Sequence, residues 1–280
     1  MYLAAAGVGT IGVVDHDRLE LSNLQRQIIH TEDRVGMSKA ESAVQTVNSL
    51  NSLVNAVAYN TMLSSSNAFE IISLYDVVVD CTDNPATRYL VNDACVLTGK
   101  PLVSGGALRM DGQLTVYNYK NGPCYRCLFP DPPAPGTVTN CNEGGILGVV
   151  TGIMGSIQAL ETIKLVCDMG PAYAQKMLLL DAEIGTFRTI KIRPRSENCQ
   201  VCSKNATIKT LIDYEQFCGA SANDKGRPTL NKLAPGDRLT CEQYLEISTS
   251  NSACLLIDVR SELEFKICAL KGSISTIRIT

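Results

Sequence analysis

Tyr75-Asp76-Val77-Val78-Val79-Asp80-Cys81-Thr82-Asp83-Asn84-Pro85 reads as a strand, a turn and the start of a helix. The run from residue 75 to 81 suits a parallel strand covered on both faces. Asp and Asn are favoured helix caps and proline suits the first turn, so a helix is expected over 85–98. Outward from here the pattern repeats. Residues 10–15, 54–59, 101–107, 112–119, 177–181 and 187–192 read as strands, and 36–50 and 67–74 as helices. This alternation predicts an α/β domain with a mostly parallel sheet. The long apolar stretch 146–169 carries Gln158, Glu161 and Lys164, so it reads as a buried helix and not a membrane span.

Gly7-Val8-Gly9-Thr10-Ile11-Gly12 matches a dinucleotide-loop pattern letter for letter. That motif works after a strand and at the start of a helix, where free N–H groups meet phosphates. Here it follows a helical segment, 1–6, and enters a strand. Gly7 is therefore read as a helix cap with positive φ.

Two short cysteine motifs carry more information. Cys124-Tyr125-Arg126-Cys127 is answered much later by Cys199-Gln200-Val201-Cys202. Each pair places two thiolates on a tight turn, and together they can complete one tetrahedral zinc site. Such a clasp would tie two distant stretches together, with sulfurs about 3.7 Å apart for a Zn–S bond of about 2.3 Å. The chain has twelve cysteines, but its size removes the need for disulfide staples and four of them have metal spacing, so a reducing cytosol fits better. A net charge of −3 gives no electrostatic case for nucleic-acid binding.

Other polar residues gather at expected strand ends. Asp15 at the end of the first strand suits ribose hydroxyls, or simply ends a strand. Ser22, Asn23, Leu24, Gln25, Arg26 and Gln27 follow, with Arg26 offering a planar fork for phosphate. Lys39 near a helix N-terminus hints at a nearby anion. Asp83 lies where ligands bind in open α/β sheets and could hold Mg²⁺; Asp83 or Asn84 also suits a helix cap. Cys141, after Thr139 and Asn140, precedes the long helix, where a thiol can be activated as a nucleophile.

Taken in order, Asp15, Ser22 to Gln27, Lys39, Asp83-Asn84, the four knuckle cysteines and Thr139-Asn140-Cys141 resemble the ubiquitin-activating-enzyme-like adenylyltransferases. The similarity is greatest to the eukaryotic branch that joins a Rossmann-like adenylation domain with a zinc clasp to a C-terminal rhodanese domain. Leu256-Ile257-Asp258-Val259-Arg260 and Glu264-Phe265 look like the start of that second α/β domain. The resemblance implies ATP, Mg²⁺ and Zn²⁺ as cofactors. It implies adenylation of the C-terminal glycine of a ubiquitin-like sulfur carrier, then sulfur transfer to a thiocarboxylate. The carriers would be a ubiquitin-related modifier for tRNA thiolation and the small subunit of molybdopterin synthase. A cysteine desulfurase would donate sulfur, and the whole protein would be a cytosolic homodimer with no membrane or direct nucleic-acid partner. Asp15 would hold the ribose and Asn23, Arg26 and Lys39 the phosphates, with Ser22, Leu24, Gln25 and Asn84 at the nucleotide. Asp83 would bind magnesium, Arg26 would act in catalysis, and Cys141 would bond transiently to the activated carrier.

Against that pattern, the family's first strand and glycine-rich ATP loop are missing, and so is the persulfide loop of the rhodanese domain. The expectation is a chain truncated at both ends: adenylation domain 1–205, linker 206–236 and incomplete rhodanese domain 237–280. On this reading the isolated chain has little activity, and the competing reading is a catalytically dead interaction module. A nicotinamide-dependent oxidoreductase is the third reading, but it leaves the two knuckles unexplained.

Overall fold

The structure, a computed structural model, describes residues 1–134, 145–220, 222, 239–249, 255–260 and 262–275. The chain divides into two compact units, Met1–Asp224 and Lys225–Thr280.

The first unit begins with the short helix α1 (Tyr2–Ala5) and strand β1 (Thr10–Val14). Gly7 has φ +80° between them, as its reading as a cap requires. Two 3-10 turns, Leu21–Asn23 and Glu32–Arg34, lead to α2 (Lys39–Leu50) and β2 (Asn55–Tyr59). Ser38 caps α2 by accepting from the Glu41 amide, so the helix starts three residues later than its apolar pattern suggested. β1 and β2 pair in parallel. Next come α3 (Ala68–Ser73), β3 (Val78–Asp80), α4 (Pro85–Thr98), β4 (Leu102–Leu108) and β5 (Asp111–Tyr117). A one-turn helix, α5 (Tyr125–Leu128), the long helix α6 (Gly148–Val166) and strands β6 (Lys176–Asp181) and β7 (Thr186–Lys191) follow.

The expectation of a mostly parallel sheet is corrected here. β3 to β7 form one sheet in chain order, in which only β3 and β4 are parallel; β4–β5, β5–β6 and β6–β7 are antiparallel. β1–β2 is a separate two-stranded sheet. The reason lies in the connections. Parallel pairs need a crossover such as α2 or α4, whereas Arg109 and Met110 alone join β4 to β5. Arg109 takes φ +54° in that tight turn. The strand expected over 75–81 is ladder-paired only at Val78–Asp80.

The core lies on two sides of this sheet. Tyr89, Leu90, Val91, Ala94, Leu102 and Tyr117 form one cluster, and Leu114, Val150, Met154, Leu178 and Leu180 form another beneath α6. Among the described residues α6 is the helix long and apolar enough, by length and composition, to cross a membrane. It packs instead across β4 and β5. Its buried Glu161 receives the amides of Ala172 (2.6 Å) and Tyr173 (3.1 Å) and pairs with Lys164 at 2.8 Å.

Residues 206–220, expected as linker, belong to the first unit. A helix there, α7 (Tyr214–Cys218), buries Tyr214 and Cys218 in the α4 cluster. The second unit holds α8 (Cys241–Thr249), β8 (Ile257–Asp258), α9 (Glu262–Ile267) and β9 (Ile274–Ser275). β8 and β9 are parallel, joined through α9. Arg260 pairs with Asp258 at 2.6 Å and holds that carboxyl below its ordinary range.

The start of α6 lies against the loop after the first 3-10 turn. A Cβ at Gly148 would collide with the Gln25 carbonyl and lie 3.0 Å from Arg26 Cα, both main-chain atoms that cannot swing aside. Gly148→Ala is therefore expected to lower stability by about 1–3 kcal/mol, the scale of overpacking strain. Denaturant midpoints of the two proteins check this.

Candidate functional site

The two cysteine knuckles meet. Cys124 Sγ lies 3.8 Å from Cys127 Sγ and 3.6 Å from Cys199 Sγ, and Cys127 and Cys202 are 3.4 Å apart. All four are buried, and their sulfurs lie within 4.8 Å of one another. This is the spacing of four ligands on one tetrahedral ion, so the donor set fits zinc. Hydrogen bonding among the four thiols pulls Cys127 and Cys199 down and pushes Cys124 and Cys202 up. The Ser196 amide donates to Cys127 Sγ at 3.3 Å, which adds a dipole aimed at the sulfur.

Around the clasp, charge is buried in pairs. Arg126, between the first two ligands, is only 2% exposed. Its Nε donates to both Asp93 oxygens (2.9 and 3.0 Å) and its Nη2 to Oδ2 (2.8 Å). The Tyr214 hydroxyl donates to the same carboxylate at 2.9 Å, and Asn92 Nδ2 does so at 2.9 Å. The reading of the knuckle did not include this network. An arginine flanked by two buried metal ligands was the available signal.

The expected nucleotide residues fall into two groups. In the first, Asp15 follows β1 and receives the Asp17 amide at 2.9 Å. Asp17 in turn receives Lys39 Nζ at 2.8 Å. Lys39 is 7% exposed, so the anion that its position implied is at least partly Asp17 itself. Asn23 is buried and spent on its own turn, accepting the Glu20 amide at 3.0 Å. Arg26 donates to the Ser22 carbonyl at 3.3 Å; Ser22 and Gln25 are exposed and Leu24 is half-buried.

The second group sits at the end of β3. Asn84 is the N-cap of α4, its side chain accepting from the Thr87 amide at 2.8 Å, which settles which of the two adjacent residues caps the helix. Asp83 beside it is exposed. Behind both lies buried Asp80, missed as a site residue. It accepts Thr82 N (2.9 Å), Thr82 Oγ1 (2.7 Å) and Ser104 Oγ (2.9 Å), with Arg88 Nε at 3.6 Å. Gln158 of α6 donates to the Asp80 carbonyl at 2.8 Å. Arg88, Ser104, Gly106, Tyr117, Tyr125 and Phe129 line a neighbouring cavity of about 210 Å³. Thus α6 touches both groups, at Gln25 through Gly148 and at Asp80 through Gln158. Thr139, Asn140 and Cys141 lie outside the described residues.

Two outcomes follow for the clasp. One equivalent of zinc is expected per chain by metal analysis, falling away as pH drops because protons compete for the thiolates. Binding that is independent of Cys199→Ser and Cys202→Ser would contradict it. Asp93→Ala leaves Arg126 buried without its carboxylate and is expected to cost about 3–5 kcal/mol of stability. Chemical denaturation measures that loss.

Comparison with known proteins agrees with this architecture. The ThiF family model matches residues 1–201. The adenylyltransferase and sulfurtransferase MOCS3 of Aedes aegypti is 52% identical over 275 residues, covering 98% of this chain and 63% of that protein. The protein of the same name from Danio rerio is 52% identical over 273 residues, covering 98% of this chain and 59% of its own length. The chain thus spans about three fifths of the length of these relatives. Among solved structures, E. coli MccB with ATP superposes with a TM-score of 0.61 at 21% identity, covering 71% of this chain and 61% of that one. E. coli MccB with MccA-N7isoASN gives 0.62 at 21% identity, covering 72% and 62%. These two likenesses concern the fold. With the family model matched over most of its length, the chain belongs to the ThiF family.

Proposed function

We propose that in the whole protein the first unit helps bind ATP–Mg²⁺ and adenylate the C-terminal carboxylate of a small ubiquitin-like carrier. The whole protein would then replace AMP by sulfur. The observation that carries this reading is ThiF-family membership, together with relatives named as adenylyltransferases and sulfurtransferases. In the first step a carboxylate oxygen attacks the α-phosphorus, the α–β bond breaks, and pyrophosphate leaves. In the second, the terminal sulfur of a persulfide attacks the acyl carbon and AMP departs, leaving an acyl disulfide; a second thiolate then attacks the inner sulfur, forming a disulfide on the protein and releasing the thiocarboxylate. The carriers would be a ubiquitin-related modifier and the small molybdopterin-synthase subunit, in a cytosolic homodimer supplied by a cysteine desulfurase. The β8–α9–β9 segment would open the rhodanese domain.

The residues suit these roles unequally. Asp83 is exposed at the head of α4, and among the described residues it has no hydrogen bond or ion pair, which leaves its carboxylate for magnesium. Arg26 uses one N–H on a backbone carbonyl, leaving most of its fork for phosphate oxygens. Asp15 would accept ribose hydroxyls at the end of β1. Lys39 would contact phosphate with the ammonium protons that Asp17 does not take. Asn23, held in its turn, would act by shaping the Ser22–Gln25 backbone, with Asn84 beside the nucleotide. Cys141 would form the transient bond to the activated carrier. Zinc would hold the knuckles and take no part in the chemistry.

Calorimetric titration of ATP–Mg²⁺ into the whole protein is expected to show one site per chain. Arg26→Ala should weaken it roughly tenfold or more, the size of a lost hydrogen bond between charged groups. Asp83→Ala should remove its magnesium dependence. A whole protein that binds no ATP would sink the adenylation reading. ATP binding and carrier binding without pyrophosphate exchange would favour the interaction module.

A further inference from the structure

We propose that the metal clasp governs the docking of α7, so that metal occupancy decides whether residues 206–220 stay folded onto the first unit. The connection runs through one side chain. Arg126 lies between two ligands, so a metal on Cys124 and Cys127 fixes its backbone from both sides. Its Nη1 also reaches Gln200 Oε1, between the other two ligands, at 3.4 Å. Its guanidinium carbon lies 4.4 Å from the Phe217 ring centroid and 4.9 Å from that of Tyr89. Phe217 belongs to α7. So does Tyr214, whose hydroxyl shares the Asp93 carboxylate with Arg126. A five-residue helix holds no stable fold by itself. Here it is fastened by a cation under one aromatic ring and by a phenol on that cation's counter-ion.

The chain between the second knuckle and α7 is fastened to the same place. The Ile208 amide donates to the Gln200 carbonyl at 2.8 Å, and Ile208 packs against the cysteine cluster. Without a metal, four buried thiols within 4.8 Å of one another have no cation between them, and the two turns lose the bond that joins them. Arg126 and Gln200 then lose their register. A buried ion pair holds only while its geometry is good, so the Arg126–Asp93 pair and the aromatic rings stacked on it loosen with it. Cys218, buried on the inner side of α7, is uncovered at that point.

Hydrogen exchange read by mass spectrometry on the full chain tests this, comparing zinc-loaded with chelator-treated protein. Metal removal is expected to speed exchange over 214–218 roughly tenfold or more, on the scale of one lost hydrogen bond to a charged group. Zinc should restore protection, while α6 stays protected throughout. Arg126→Met keeps all four ligands and removes the guanidinium. It is expected to bind one zinc and still exchange rapidly over 214–218. Protection of 214–218 that survives metal removal overturns the proposal, as does failure of the chain to bind zinc. If chelation unfolds α6 as well, zinc-loaded Arg126→Met decides: wild-type protection of α7 in that variant refutes the link.

Discussion

A guanidinium cannot be buried without a counter-charge, and the first unit is organised around one that is. Arg126 and Asp93 are both withdrawn from water and meet through three N–H···O contacts. Removing two such charges from solvent is expensive, and the attraction offsets it only when the remaining donors and acceptors are also satisfied. Here they are. Asp93 takes Asn92 and Tyr214, while Asn92 takes the Tyr125 amide at 2.7 Å. Because Asp93 is on α4, Arg126 on the first knuckle and Tyr214 on α7, one ion pair joins three segments remote in sequence. The clasp, α4 and the chain after Cys202 meet at the same pair.

The candidate nucleotide residues depend on a different arrangement. They stand on two turns in two sheets that share no strand pairing. Each turn is stiffened locally: Asn23 and Glu20 close one as a reciprocal cap, and Asp80 gathers Thr82 and Ser104 beneath the other. Asp80 is therefore better read as the support of the Asp83 turn than as a strand residue that happens to be acidic. Its burial under three donors and beside Arg88 leaves it no access to solvent or ligand.

What the sequence made legible follows from how local each signal is. The start of α4 was readable because Asn84 and Pro85 are cap signals at the helix's own end; the left-handed Gly99 closes its other end. The metal cluster was readable because spacing alone brings each cysteine pair together. Strand direction was not, since an antiparallel strand covered on both faces carries the same continuous apolar run as a parallel one, and the two-residue Arg109–Met110 turn had to be recognised first. The reach of the first unit past 205 was hidden for another reason. Residues 206–220 look polar and irregular, and only the distant Asp93 and Arg126 give Tyr214 and Phe217 a place to go. Asp80 and Gln158 were equally opaque, being hydrogen-bonded across 78 residues of sequence.

The long helix shows how far composition can mislead and why. α6 has the hydropathy of a membrane span, yet the polar residues within it are those with buried partners: Gln158 on the Asp80 carbonyl and Glu161 on the amides of the following loop. Its first residue is glycine where the Gln25 main chain crosses it. A helix rises about 1.5 Å per residue, so the contact with the Arg26 loop and the contact with the Asp83 turn are spaced by about 15 Å along a rigid rod. Loops alone do not hold such a spacing. The apolar character of α6 is thus the price of lying on β4 and β5, and its few polar atoms fix where the two candidate binding turns stand along it.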